Sequence, residues 1–365
     1  MRLALVALVV LASSAWAEPR GTFRHAHNVG FGAQSSLDPA SKGRVLQILE
    51  KIQSRLVRPG RDGTPAPDLA TAWFPNEDGT VWTFHIREGV RFHDGSALDA
   101  ADVVYSIARV IDPDYGSPAR AAVKMIETVE ATGPHTVRMT LSSTFADFPL
   151  QLMDPRLRII PEGSGDTVDR TGIGTGPFRV EKFDPDGITV LVANMDYWEG
   201  PPRLARIEVI GVPDAQARLQ AFLSGQLDME RGIAPVLRRA LDKSLRYQLL
   251  EIPTGNWMGL SFRNDVAPFD DVRVRRALAM LFDFEWANRT LYYDLYTRTG
   301  GYFDNSSLSS LGRPANALER DLLAPWIEDL PSDVVDGTWR PTQADGSGRD
   351  RKVLRAAVSA LKQAG

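Results

Sequence analysis

Cysteine is missing from all 365 residues, so no disulfide can staple the fold and no acylated cysteine can anchor the chain. Stability must come from a packed core. Histidine is scarce, with His25, His27, His85, His93 and His135 forming the full set. No Gly-x-Ser-x-Gly elbow accompanies them, which leaves a serine nucleophile without a recognisable base. Neither sign of charge dominates, since 42 Lys and Arg stand against 46 Asp and Glu. Such a surface has no basic field to gather nucleic acid or anionic lipid. Long apolar runs are lacking as well. The run Leu3–Leu11 falls short of a membrane span, and no other segment reaches the ~18 residues required. There is no internal repeat and no low-complexity tract.

What is present at the N-terminus fixes an expected compartment. Arg2 gives a positive start, Leu3–Leu11 an apolar run, and Ala15-Trp16-Ala17 a small-x-small site before Glu18-Pro19. That order is the order of a cleavable secretory signal peptide. The expectation is a chain cut near Ala17 and released, without an anchor, into a bacterial periplasm. Losing Arg2 with the leader takes the formal charge from -4 to -5. The 348 residues left when 17 are removed from 365 suit about two domains.

Periodicity then places the elements. Val45–Val57 carries apolar residues at helical spacing, and Val81–Ile86 alternates as a strand after the Asp78-Gly79 turn. Asp99 is a good N-cap for a helix through Ile111, with Val103, Val104, Ile107, Val110 and Ile111 as its stripe. Thr136–Leu141 alternates as a half-buried strand, and Ile188–Ala193 and Ile207–Ile210 are further strands. Pro213–Leu223 reads as a helix with proline at its start and Gly225 past its end. Asp271 caps a helix bearing Val274, Ala277, Leu278 and Leu281, and a last helix starts near Lys352 after the polar loop Asp329–Lys352. Strands and helices mix without strict alternation, so the class is α/β with α+β parts.

Catalytic and metal chemistry find little support. His25 and His27 would share one face of a strand, yet two ligands do not make a tight metal site. Carboxylates cluster at Asp112-Pro113-Asp114 and Asp270-Asp271 without evidence of a pair spaced for glycoside hydrolysis, and Asp271 already has a capping role. The loop Asp345–Asp350 lacks the alternating ligands and terminal Glu of a calcium loop. Gly172-Ile173-Gly174-Thr175-Gly176 lacks the Gly-Lys-Ser/Thr of a phosphate cradle, and Pro177 removes an amide donor; it reads as a structural turn. A binding protein is expected, with no enzyme activity, no cofactor and no metal.

Several motifs in order sharpen this. Asp78-Gly79-Thr80-x-x-Thr83-Phe84-His85-Ile86-Arg87-Glu88-Gly89-Val90-Arg91-Phe92-His93-Asp94-Gly95 resembles the signature of family 5 extracellular solute-binding proteins, the peptide and nickel receptors of ABC importers. Ser36-Leu37-Asp38-Pro39, the Leu98–Ser106 segment, Gly174-Thr175-Gly176-Pro177-Phe178, Leu223-x-Gly225-x-Leu227-Asp228 and Phe269–Leu278 agree with it in sequence order. Phe282–Trp286 and Tyr292–Phe303 resemble the branch that serves microcin C-type and cell-wall peptides.

The resemblance implies a periplasmic-binding-protein-like type II (cluster C) fold of two α/β lobes with an extra subdomain. Lobe I would hold residues 18–45 and 164–251, the inserted subdomain 46–163, and a partial lobe II 252–365. Relatives continue well beyond this point, so the second lobe is expected to be incomplete. The implied function is capture of a peptide in the cleft and delivery to a membrane permease by a monomer. By resemblance, the strand at Gln34, Ser35 and Ser36 pairs with ligand backbone, and Asn256 and Trp257 face the cleft from the crossover near Ile252–Asn256. A nickel, haem or other metal-chelate receptor on the same fold, a non-transporting remnant and an exported hydrolase stay open as alternatives.

Overall fold

The computed structural model describes residues 18–27, 35–184, 187–231, 259–301, 303–304 and 308–365. The first half of these residues forms β1 (Thr22–His27), α1 (Leu46–Ile52), β2 (Val57–Pro59), β3 (Pro65–Pro67), β4 (Ala70–Pro75), β5 (Val81–Ile86), α2 (Ala100–Ile111), β6 (Ile126–Gly133) and β7 (Thr136–Leu141). Then come β8 (Phe178–Lys182), β9 (Ile188–Ala193), β10 (Arg206–Gly211), α3 (Ala215–Leu223), α4 (Val272–Met280), α5 (Phe284–Leu291), α6 (Ala317–Leu323) and α7 (Arg351–Ala364). The fold class is α/β. Compact packing divides the chain into two units, Met1–Gly232 and Ile233–Gly365. The expected crossover at Ile252–Asn256 lies outside the described residues.

Two sheets organise the first unit. One has the order β1-β10-β9-β8, with β1 parallel to β10 and the remaining pairs antiparallel. The other is antiparallel throughout, in the order β4-β5-β7-β6. Each sheet has its own core. Leu37, Ile48, Leu49 and Ile52 pack on Phe178, Leu191, Ile207 and Val209 of the first sheet. Phe84, Val103, Ile107, Val137, Met139 and Phe148 fill the second. Thus α1 covers the first sheet and α2 lies in the core of the second.

Helix starts are set by side-chain chemistry. Asp99 accepts from the Ala101 amide while Asp102 accepts from the Asp99 amide, a reciprocal capping box on α2. Asp214 caps α3, Asp271 caps α4 and Asp350 caps α7 through their carboxylates. Proline at position 213 therefore precedes the cap, and α3 itself begins at Ala215.

Helix α1 departs from the periodic pattern, which predicts a helix to Val57. It stops at Ile52 because Gln53 turns extended (φ -132, ψ 139). There the Gln53 amide side chain donates to the carbonyls of Leu37 and Ile173. Next, the Arg55 and Leu56 carbonyls accept from Leu69 and Ala70. Tertiary hydrogen bonds outweigh the local helical preference. In the second unit, α4 buries Val274 and Ala277 as its stripe requires, but Leu281 at the helix end is exposed.

Candidate functional site

The candidate surface gathers where β1, the turn at residues 35–40, the end of α1 and the glycine run at 172–176 meet. Ser35 is half-buried and Ser36 buried. The Ser36 amide donates to the Gly43 carbonyl at 2.9 Å, and its carbonyl accepts from Val45 at 3.0 Å. Its Oγ accepts from the Asp38 amide at 3.0 Å. Ser36 is thus already engaged on both sides of its backbone, and any added strand would meet Ser35 first. Gln34, Asn256 and Trp257 lie outside the described residues.

Asp38, in the same turn, is buried and receives a bidentate Arg109 guanidinium at 3.2 and 2.7 Å, with Tyr115 Oη donating at 2.5 Å. Arg109 lies on α2 and stacks over Tyr115 at 4.7 Å. Burial first, then the hydrogen bond to Asp38, pushes the Tyr115 hydroxyl up to about 12. The constellation is a structural tie between the turn and the second sheet's helix. The sequence motif flags Asp38, but its partner 71 residues away carries no local signal.

The glycine run is likewise structural. A Cβ on Gly174 would lie 2.3 Å from the Ile52 carbonyl oxygen, and one on Gly176 2.7 Å from that of Lys51. The Gly176 amide donates to Ile52, and its carbonyl receives Asn194 Nδ2 at 3.0 Å. His93 Nε2 also meets that carbonyl, at 3.1 Å. These glycines let the run lie against the end of α1, as expected of a turn; the Gly176 amide does not point at a phosphate.

His25 and His27 share a face of β1 and are both buried. Burial, then the charge of Lys51, lowers the His25 pKa to about 4, and Arg231 and His27 act in the same direction. A neutral ring beside two cations is a poor place for a metal cation, because the nearby positive charges oppose it. Among the described residues no group of three or more His, Cys, Asp or Glu could hold a metal ion. Lys51, in the last turn of α1, is not singled out by periodicity. Its signal is nonetheless visible, since it sits three residues after Ile48 on the buried side.

The second unit has a cavity of about 320 Å³ lined by Phe284, Asn288, Arg289, Arg298, Arg340 and Gln343 among others. Its guanidiniums are largely spent on carbonyls: Arg289 on Gly346, Arg298 on Thr342, Arg340 on Gly337 and Trp339.

Comparison with known proteins now bears on this geometry. Residues 64–365 match the family described as bacterial extracellular solute-binding proteins, family 5 Middle. Heme-binding protein A of Haemophilus influenzae is 31% identical over 263 residues, covering 64% of this chain and 48% of that protein. Di/tripeptide-binding protein 2 of Pseudomonas aeruginosa is 30% identical over 246 residues, covering 60% and 46%. NikA of Brucella suis, crystallised with Fe(III)-EDTA, shares the fold with a TM-score of 0.71 at 24% identity, over 95% of this chain and 74% of that one. The chain spans about half the length of the curated relatives it matches. It belongs to the bacterial extracellular solute-binding proteins of family 5.

Proposed function

We propose that the protein is the soluble, periplasmic substrate-binding component of an ABC importer. It captures oligopeptides or peptide-like solutes and hands them to an inner-membrane permease. The observation that carries this reading is the family match across residues 64–365. The di/tripeptide-binding relative, and the motifs shared with peptide receptors, support a peptide over other solutes. The leader-like N-terminus supports export, and among the described residues no helix is long and apolar enough to cross a membrane.

In this reading Gln34 and Ser35 offer backbone to the ligand, Ser36 being held by Gly43 and Val45, and Asn256 and Trp257 contribute to binding. Regular backbone pairing gives affinity that is independent of ligand side chains. Closure is driven by the ligand's preference for the shut state, so binding and closing are one equilibrium. A metal-chelate receptor is the competing reading, favoured by the haem-binding relative.

Calorimetric titration of the full chain with dialanine, trialanine, Ni(II)-histidine and haemin separates the two. Saturable binding of the peptides alone is the expected result. Binding confined to the chelates would overturn the peptide assignment, and cleavage of the peptides would overturn the receptor assignment altogether.

A further inference from the structure

We infer that the protein self-associates through two unlike helix faces of the second unit, the acidic apolar face of α6 in one copy seating on the basic apolar face of α7 in the next. The inference stands apart from the choice of solute, and it replaces the monomer that the family resemblance implies. On α6 (Ala317–Leu323), Leu318 and Leu322 lie one turn apart and are 68% and 66% exposed, and the helix buries none of its residues. Trp326, in the turn that follows, is exposed as well. On α7 (Arg351–Ala364), Leu354 and Val358 lie one turn apart and are 43% and 48% exposed. This helix turns Ala357 inward and packs on α4, where Arg273 donates to the Gln363 carbonyl at 2.9 Å. Leu354 and Val358 stay outside that contact.

Charge makes the two faces complementary. Residues 317–330 carry Glu319, Asp321, Glu328 and Asp329 against Arg320 alone, whereas α7 carries Arg351, Lys352, Arg355 and Lys362 and no acid. Asp321 shares the α6 face of Leu318 and Leu322, three residues after the first. Arg351, Arg355 and Lys362 fall at i, i+4 and i+11, on the side of α7 that shows Val358 at i+7. Glu319 is taken by Arg313 at 2.7 Å. Among the described residues, no ion pair is formed by Asp321, Glu328, Asp329, Arg351, Arg355 or Lys362. These charges are left to meet a partner of opposite sign.

Apolar side chains supply the attraction and the charges orient it. Exposed ion pairs are individually weak, so burial of Leu318, Leu322, Leu354 and Val358 must hold the copies together. Opposite fields then select one pairing. Two α6 faces repel each other, as do two α7 faces, which leaves the mixed contact. Because the joined faces differ, each contact is heterologous, and one bare face of each kind remains at the ends unless the copies close on one another.

The test follows sedimentation velocity of the full chain over a concentration series, at low and at high salt. Two double variants reverse one face each: Asp321→Lys with Asp329→Lys, and Arg351→Glu with Arg355→Glu. All four positions are exposed, and circular dichroism checks that both proteins fold. The expected result is a sedimenting mass that grows with concentration, with association weakened about tenfold by high salt. Each reversed protein alone stays monomeric, because both of its faces now carry one sign. An equimolar mixture of the two associates again, the basic faces of one meeting the acidic faces of the other. A native chain that stays monomeric at every concentration overturns the inference, and so does association indifferent to the reversals or a mixture that does not recover. Capture of native monomer by phosphatidylglycerol vesicles, lost on reversal of α7, would assign that helix to a lipid surface and overturn the inference too. None of these outcomes touches peptide binding, which the calorimetric titration reads separately.

Discussion

Single residues in the first unit carry uneven electrostatic weight. Asp38 and Arg109 are both mostly buried, with side-chain exposures of 5% and 13%. Removing one partner of such a pair strands the other, at a cost of about 3–5 kcal/mol. Arg109→Met is therefore expected to lower the urea midpoint far more than Arg263→Met, whose ion pair with Asp265 is solvent-exposed. Equal effects would contradict the buried character of the Asp38 pair. Lys51 responds to pH in a direction that can be worked out. Burial chiefly, then Arg231 and Arg158, lowers its pKa from 10.5 to about 8, while Glu50 opposes them. Between those values the unfolded chain holds more protons than the folded one, so stability climbs as pH rises from about 8 to 10.5. The climb should be smaller in Lys51→Met when urea midpoints at pH 7.5 and 9.5 are compared; an unchanged climb would place Lys51 in water. The chain hints at Asp38 through its motif and at Lys51 through its spacing from Ile48, but the partners of each are brought together only by folding.

At the scale of elements, α2 is held by a reciprocal cap at its start, whereas α1 is fixed at its end by the bonds of Gln53. Asp99→Ala should lose about 1 kcal/mol, read as a shift in the denaturation midpoint. Gly174→Ala should cost more, about 1–3 kcal/mol, since its Cβ would press within 2.3 Å of the Ile52 carbonyl oxygen and backbone cannot step aside as a side chain can. A neutral Gly174→Ala in the same assay would mean that the run does not press on α1. These elements also show what periodicity can and cannot read. Strands β5, β7 and β9 match their expected ranges residue for residue, since one buried face imposes a strict alternation. The end of α1 is illegible because Gln53 bonds to Leu37 and Ile173, one of them 120 residues away. For the candidate ligand-facing residues, the chain alone offers a shared motif at Ser36, and folding reveals that this serine is engaged by Gly43 and Val45.

For the whole molecule, the two units are unequally provided with core. The first buries two extended apolar clusters. Among the described residues of the second, full burial is limited to small or branched side chains such as Val274, Ala277, Ala287, Val335 and Ala357. Leu260, Leu318, Leu322 and Trp326 there are 90%, 68%, 66% and 60% exposed. Apolar surface on that scale marks an interaction face or an association liability. Scanning calorimetry should accordingly resolve two transitions, the second unit melting first. Tryptophan emission offers a second check, because Trp286, Trp326 and Trp339 lie in that unit and Trp73, Trp82 and Trp198 in the first, so its melting curve should show both transitions. A single cooperative transition shared by every probe would refute the inequality.

The turn from Leu37 to Ala40 has a mechanical meaning. Leu37 is sunk in one core and Ala40 in the other, and between them Asp38 grips a helix across the seam. It acts as a rivet, so strain applied to either sheet is shared by its neighbour. Amide deuteration should therefore spread through β5 and β9 at similar rates in the native chain, and those rates should part once the rivet is drawn by Arg109→Met.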